Sequence, residues 1–256
     1  MKFDMHCHTR EGSMDGKVSI KTYVEILKQE GFRGMLVTDH NTYKGYRKWR
    51  DTATTQEKRE FTVLKGIEYD TIDSGHMLVI MPTGAKLRLL EMRGLPVRML
   101  IDIVHKNGGI LGPAHPCGER YLSLLKTKRK KSKTDVISKF DFIEVFNACE
   151  PYESNQEAQE LAEQYHKPGF GGSDSHRADC IGTAYTQLPE SVQTETDLIE
   201  FVKSSAEITC GGVLYNKTTK DKLGKWNRVL VESFFVYNKL AGLRRLRKRR
   251  IELRNI

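Results

Sequence analysis

The chain has 256 residues, 38% hydrophobic and 29% charged, enough to bury a full core in one large domain or in one domain with an appendage. A formal charge of +9 suggests a nucleic-acid binder, yet eight Lys/Arg against one Glu from Lys239 to Ile256 carry +7 of it, so the body is close to neutral. Five cysteines without a Cys-x-x-Cys pair argue against a disulfide framework and a thiolate zinc site; no apolar run approaches a membrane span, and Met1-Lys2-Phe3-Asp4 opens no signal-peptide pattern, so the expectation is a soluble, cytoplasmic protein with reduced thiols.

The first predicted strand holds Asp4-Met5-His6-Cys7-His8, where Phe3, Met5 and Cys7 alternate with Asp4, His6 and His8. Alternation sends both imidazoles to one face, as a metal clamp requires, although an isolated His-x-His equally suits an edge strand with two solvated histidines. A polar loop over 9–17 leads to a helix over 20–30, closed by Gly31. Gly34-Met35-Leu36-Val37-Thr38 is a second strand ending in Asp39-His40-Asn41-Thr42, and 43–60 reads as one solvated helix. A third strand runs from Phe61 through Gly66-Ile67 to Glu68; 69–75 reads as a turn, and His76-Met77-Leu78-Val79-Ile80 pairs back, bringing Glu68 and His76 together. A helix over 95–107 precedes Ile110-Leu111-Gly112-Pro113-Ala114, which delivers His115-Pro116. Residues 126–133 hold six Lys/Arg and no acid, a loop whose charge either attracts an anionic substrate or is simply solvated. A strand over 140–147, a helix over 153–165, Gly169-Phe170-Gly171-Gly172 leading into Ser173-Asp174-Ser175-His176, a strand over 184–188 and a helix over 196–204 complete the body. Strands alternating with helices predict an α/β fold with a mainly parallel sheet or barrel.

His6, His8, Asp15, His40, Glu68, His76, His115, Asp174 and His176 collect at or beside the ends of the predicted strands, which parallel α/β folds gather at one face. Six of the eight histidines fall in this set; His105 and His166 sit in or beside predicted helices. Nine imidazoles and carboxylates exceed the needs of one ion, so two or three divalent metals are expected, with Zn, Mn and Fe all compatible with the mixed donors.

His6-x-His8 with Asp15, Thr38-Asp39-His40-Asn41-Thr42, Gly66-Ile67-Glu68, the following His76, Ala114-His115-Pro116 and Gly172-Ser173-Asp174-Ser175-His176 together resemble the polymerase-and-histidinol-phosphatase (PHP) family of metal-dependent phosphoesterases, over roughly residues 1–190. The resemblance implies a distorted seven-stranded (β/α) barrel of strand-helix units with metals at its C-terminal mouth. It implies one metal on His6, His8, Glu68 and Asp174, a second on Glu68, His76 and His115, and a third between Asp15, His40 and His176, with Glu68, His115 and Asp174 central to catalysis. A cluster of this kind would hold a metal-bound hydroxide and hydrolyse a phosphate ester of a small molecule or an oligonucleotide. In the branch resembling nucleotide phosphatases and exoribonucleases a sizeable helical insertion precedes the Ala-His-Pro motif; here 81–109 is short, and that branch's substrate does not carry over.

Arg10, Asn41, Arg120 and Arg177 follow these residues closely enough to meet a substrate phosphate. Glu144 and Asn147, three apart on one strand, are expected to face opposite sides, and Cys117 reads as a small buried hydrophobe rather than a ligand. Residues 1–215 are expected to form the phosphoesterase domain and 216–256 a basic helical extension. Leu240, Leu243, Leu246 and Leu253 among the arginines give Lys239 to Arg254 an amphipathic pattern suited to docking on the body, to nucleic acid or to an anionic surface. The competing reading is a catalytically idle, metal-stabilised module recruited through that tail.

Overall fold

The computed structural model describes residues 1–118, 123–125, 134–204 and 207–215, together with Val229, Ser233 and Val236. Arg120, the basic run 126–133 and the stretch 239–256 lie outside the described residues. In chain order the strands are β1 (Lys2–Cys7), β2 (Gly34–Val37), β3 (Thr62–Asp70), β4 (His76–Ile80), β5 (Ile110–Pro113), β6 (Ile143–Asn147), β7 (Gly169–Gly172), β8 (Ala184–Gln187) and β9 (Cys210–Gly212). The α-helices are α1 (Ile20–Gln29), α2 (Lys44–Thr52), α3 (Thr55–Glu60), α4 (Val97–Lys106), α5 (Thr134–Ile137), α6 (Tyr152–Gln164) and α7 (Glu195–Lys203).

Seven strands form a curled mixed sheet in the order β5-β4-β3-β2-β1-β8-β9, and β6 pairs with β7 in a separate parallel ribbon. The ribbon stands between β5 and β1. Asp141 N donates to Leu111 O across one seam and Asp174 N to His6 O across the other, both at 2.9 Å. The result is a distorted α/β barrel, β1 to β7, with β8 and β9 extending the sheet beyond it.

Strand β4 pairs back on β3 as the expected hairpin, and β5 in turn pairs antiparallel with β4, which interrupts the expected mainly parallel order. A parallel return needs a crossover of a dozen or so residues, and the five between β3 and β4 allow only a turn. Thr71 Oγ1 donates to Gly75 O at 2.6 Å, and Gly75 takes the left-handed φ of 78° that the turn demands. The helix expected over 43–60 is likewise two helices. Ala53 is extended, and Thr54 opens α3 with a reciprocal capping box to Glu57.

Three apolar clusters hold the sheet. Phe3, Met5, Leu36, Leu64, Leu78, Ile80, Ala114, Phe142 and Phe170 fill the inside below the mouth, with the Phe142 and Phe170 rings stacked at 4.3 Å. Outside, α1 buries Ile20, Tyr23, Val24 and Leu27 on β1 and β2, while α4 buries Leu100, Ile101 and Val104 against Met77, Val79 and Leu111. On β1 the simple alternation fails. The β1–β2 register shifts between Asp4 and Cys7; Phe3 and Met5 pack inside, whereas Asp4 accepts the Tyr23 hydroxyl of α1 at 3.3 Å and Cys7 joins the outer cluster. This irregularity turns His6 inward at the mouth, as strand bulges beside functional sites do.

The β7–β1 seam is tight because Gly172 has no side chain. A Cβ there would lie 2.3 Å from His6 Cβ and 2.6 Å from His6 N, and a backbone atom cannot step aside cheaply. Gly172→Ala is therefore expected to lower unfolding free energy by about 1–3 kcal/mol in denaturant titration. Gly211→Ala, whose Cβ would meet nothing nearer than 3.7 Å, should stay within about 0.5 kcal/mol of the parent. Equal behaviour of the two variants would show that the seam is not sterically limiting.

Candidate metal centre

Every candidate ligand sits at the same end of the barrel. His6 is the penultimate residue of β1 and His8 follows the strand; His40 follows β2; Glu68 lies near the end of β3; His76 begins the antiparallel β4, which places its start at this mouth; His115 follows β5, and Asp174 and His176 follow β7. Two of these residues, His115 and Asp174, have left-handed backbones with φ of 30° and 50°. For non-glycine residues that conformation is strained, and the strain is held by the surrounding hydrogen bonds.

Glu68 is the hub. Its Oε2 lies 3.5 Å from His6 Nε2 and 3.3 Å from His8 Nε2, and Asp174 Oδ1 lies 3.6 and 3.1 Å from the same two nitrogens. Its Oε1 faces His76 Nδ1 at 2.8 Å and His115 Nε2 at 3.3 Å. A third grouping brings His176 Nε2 within 3.1 Å of Asp15 Oδ2 and His40 Nε2 within 3.9 Å of the same oxygen. His6, His8, Glu68, His115 and Asp174 are essentially sealed from solvent, whereas the Asp15 side chain is 58% exposed, so the centre opens on the Asp15 side.

The far sides of the rings are held as well. Glu144 Oε1 meets His6 Nδ1 at 2.8 Å, and its Oε2 accepts the His115 backbone N–H and the Asn147 amide. Ser13 Oγ bridges His8 Nδ1 and Asp39 Oδ1 at 3.0 Å each, Ser123 Oγ lies 3.3 Å from His115 Nδ1, and the Asp174 carbonyl takes His176 Nδ1 at 2.9 Å. Partners of this kind fix which nitrogen carries the proton and aim the other at a cation. Asp39 also accepts from Thr9 N, Thr9 Oγ1 and Gly45 N, pinning the loop that carries Asp15. Burial nevertheless pushes the Asp39 carboxyl up to about 6.

The expectation that Glu144 and Asn147 face opposite sides is corrected. The β6–β7 register shifts between Glu144 and Phe146, and the extra residue returns Asn147 to the face of Glu144, where its amide reaches both Glu144 and Asp174 at 3.2 Å. Asp70, placed in a turn by the sequence reading, continues β3 and lies 3.4 Å from His76 Nε2 and 3.6 Å from His40 Nδ1. The Glu68-x-Asp70 spacing was its signal, since alternate residues of a strand share a face. Arg10 is exposed, and Arg177 turns to Asp179 through Nε at 2.9 Å and a second, shorter contact. His105 pairs with Asp141 on the outside, and Cys117 is buried.

The chemistry of this set fits divalent cations. His40 Nδ1, both ring nitrogens of His76, His176 Nε2 and Glu68 Oε2 are buried without a hydrogen-bond partner, yet several stand beside carboxylate oxygens in poor hydrogen-bond geometry. Burial pulls the His8 imidazole down to about 4, with charge on His176 acting the same way. Against burial, the Glu68 carboxylate lifts His40 to about 10, while the surrounding imidazoles, again against burial, hold Glu68 well below the usual carboxylate range. Carboxylates held charged beside a ring such as His40 that is pushed toward its cationic form make a setting in which a divalent ion can take the place of the proton.

Residues 4–171 match the model of the PHP domain, and residues 152–206 match that of the PHP-associated region. The chain belongs to the PHP domain family. No curated protein sequence matches this PHP chain closely enough to count as a relative. Among solved structures, PsfC from Pseudomonas syringae is 19% identical with a TM-score of 0.61, covering 91% of this chain and 98% of PsfC. A candidate metal-dependent phosphoesterase from Bifidobacterium adolescentis is 18% identical with a TM-score of 0.58, covering 80% and 96% respectively. Endonuclease Q, solved with a 27-mer duplex carrying an abasic lesion at its active site, is 16% identical with a TM-score of 0.63; 81% of this PHP chain matches 57% of that longer protein. At these identities the likeness is one of fold.

Glu144→Gln tests the supporting layer. A glutamine amide facing His6 Nδ1 would donate to it, forcing the ring proton onto Nε2, the nitrogen that faces His8, Glu68 and Asp174. Calorimetric titration with Mn²⁺ or Zn²⁺ is expected to give about 10–100-fold weaker binding than the parent. Unchanged affinity would show that Glu144 does not set the His6 tautomer.

Proposed function

We propose that this chain is a metal-dependent hydrolase of phosphate esters whose catalytic unit is residues 1–215. The observation that carries the reading is Glu68, a sealed carboxylate with imidazoles on both oxygens, His6, His8 and His40 on one and His76 and His115 on the other, and a second carboxylate, Asp174, across from His6 and His8. His6, His8, Glu68 and Asp174 would hold one divalent ion, Glu68, His76 and His115 a second, and Asp15, His40 and His176 a third. Zn, Mn and Fe suit this donor set alike. Bound there, such ions supply Lewis acidity toward a phosphoryl oxygen and make water nucleophilic at neutral pH.

The protein's part is to fix charge and position. Glu68 offsets positive charge on both sides at once; Asp174, held by Asn147, and His115, whose backbone N–H is fixed by Glu144, complete the inner pair of positions. The sealed walls exclude bulk water from His6 and His8, while the open Asp15 side leaves an approach for an anionic ester. Endonuclease Q, bound to duplex DNA in its own structure, supports reading the substrate as a phosphate ester of an oligonucleotide or of a smaller phosphorylated molecule. The basic stretch Lys239 to Arg254 would meet nucleic-acid phosphates in the same reading.

Metal-reconstituted protein is expected to hydrolyse p-nitrophenyl phosphate or its bis ester. His8→Ala and Asp174→Ala should each lower turnover by about 100-fold or more while circular dichroism stays native, because each removes a donor without touching the apolar clusters. Parent-level turnover in either variant at matched metal content would remove the assignment.

A further inference from the structure

Asp70 lies outside the ligand sets just assigned, and the inference below rests on the reading of those sets as cation positions. Its Oδ1 stands 3.4 Å from His76 Nε2 and 3.6 Å from His40 Nδ1. The opposite nitrogen of each ring faces a different position: His76 Nδ1 turns to Glu68 Oε1 at 2.8 Å, and His40 Nε2 to Asp15 Oδ2 at 3.9 Å. One oxygen therefore sits behind a ligand of the second position and a ligand of the third.

Asp70 is itself fixed. Its backbone N–H donates to Asn41 Oδ1 at 3.0 Å, its carbonyl accepts Gly94 N at 2.7 Å, and Arg93 Nη1 lies 3.9 Å from Oδ2, the carboxylate oxygen other than the one that faces the histidines. Asp70 is 1% exposed, so its charge acts on these neighbours with little screening by water.

We propose that Asp70 is a positioning residue that couples the second and third cation positions, as Glu68 couples the first and second. It accepts the far-side N–H of His76 and of His40, so that each ring presents an unprotonated nitrogen to its own cation. The contacts shorten into hydrogen bonds once those cations orient the rings. His40 Nδ1 also lies 3.0 Å from Glu68 Oε2, but that oxygen is committed to His6 and His8, which leaves Asp70 as the acceptor. The two coupling carboxylates stand two residues apart on one face of β3, so a single strand ties the three positions together.

Oδ1 of Asp70 with His40 and His76 forms a group whose ligand atoms lie within 4.8 Å of one another, which raises the alternative of a fourth cation. Charge weighs against it. Asp15, Glu68, Asp70, Glu144 and Asp174 bring five negative charges against six from three divalent ions, and a fourth ion would add two more beside a carboxylate that is itself sealed from solvent.

The test is anomalous diffraction from Mn²⁺-soaked crystals of the full chain, read position by position, with Mn²⁺ titration of the same proteins. In Asp70→Asn, occupancy between His6, His8 and Asp174 should persist, while affinity at both other positions falls at least about tenfold. Thermal melting of the metal-free variant serves as the check on folding. Arg93→Gln, which releases Asp70 from the outside without touching a ligand, should weaken the same two positions in the same direction, and it decides the matter should Asp70→Asn not fold. Loss confined to one position, loss at the first, or no loss would overturn the coupling role, as would a fourth ion on Asp70 in the parent. A parent that takes up no ion would overturn the metal-centre reading itself.

Discussion

A carboxylate sealed inside a protein must be compensated, and Glu68 is compensated from both ends. One oxygen meets three imidazoles and the other two: β1 and its following loop supply His6 and His8, the loop after β2 supplies His40, β4 supplies His76, and the end of β5 supplies His115. Leaving a buried charge unpaired costs several kcal/mol, so the barrel mouth has to close around this residue. The antiparallel β3–β4 hairpin is part of the same constraint. A parallel return would have put the start of the next strand at the far end of the barrel, and His76 with it.

The local irregularities serve that convergence. Regular strands would alternate their side chains, yet β1 and β6 both shift register near their ends, which brings His6 inward and sets Asn147 beside Glu144. His115 and Asp174 adopt left-handed backbones, and Gly172 lets β7 lie against His6 at a distance no side chain allows. Each departure costs stability locally. The inner cluster around Phe142 and Phe170 and the helices packed outside supply the apolar burial that offsets it.

Much of this was legible in the chain. The apolar runs ending in His, Asp or Glu gave the strands and the mouth, because hydrophobic periodicity is a local property and a strand end is marked by the residue that follows it. The resemblance built on their order implied the same barrel. What the chain concealed was non-local or subtle in register. A bulge adds one residue to one strand and leaves no composition signal, so Asn147 was expected on the wrong face. Asp70 was hidden by a turn boundary placed two residues early, and the break at Ala53 depended on a capping box that a charged, weakly periodic stretch masked. Ser13 and Ser123 meet His8 and His115 from within the same loops, five and eight residues on, but a lone serine in a loop carries no pattern that marks such a role.

The central claim is that one side chain serves two cation positions. The most direct measurement is the number of ions retained per chain by Glu68→Gln, determined by elemental analysis after equilibration with Mn²⁺ or Zn²⁺ and compared with the parent protein. Glutamine keeps the volume but removes the charge and replaces one oxygen with a donor. The account predicts that the ion held with His6, His8 and Asp174 and the ion held with His76 and His115 are lost together; loss of one ion alone, or of none, would contradict it.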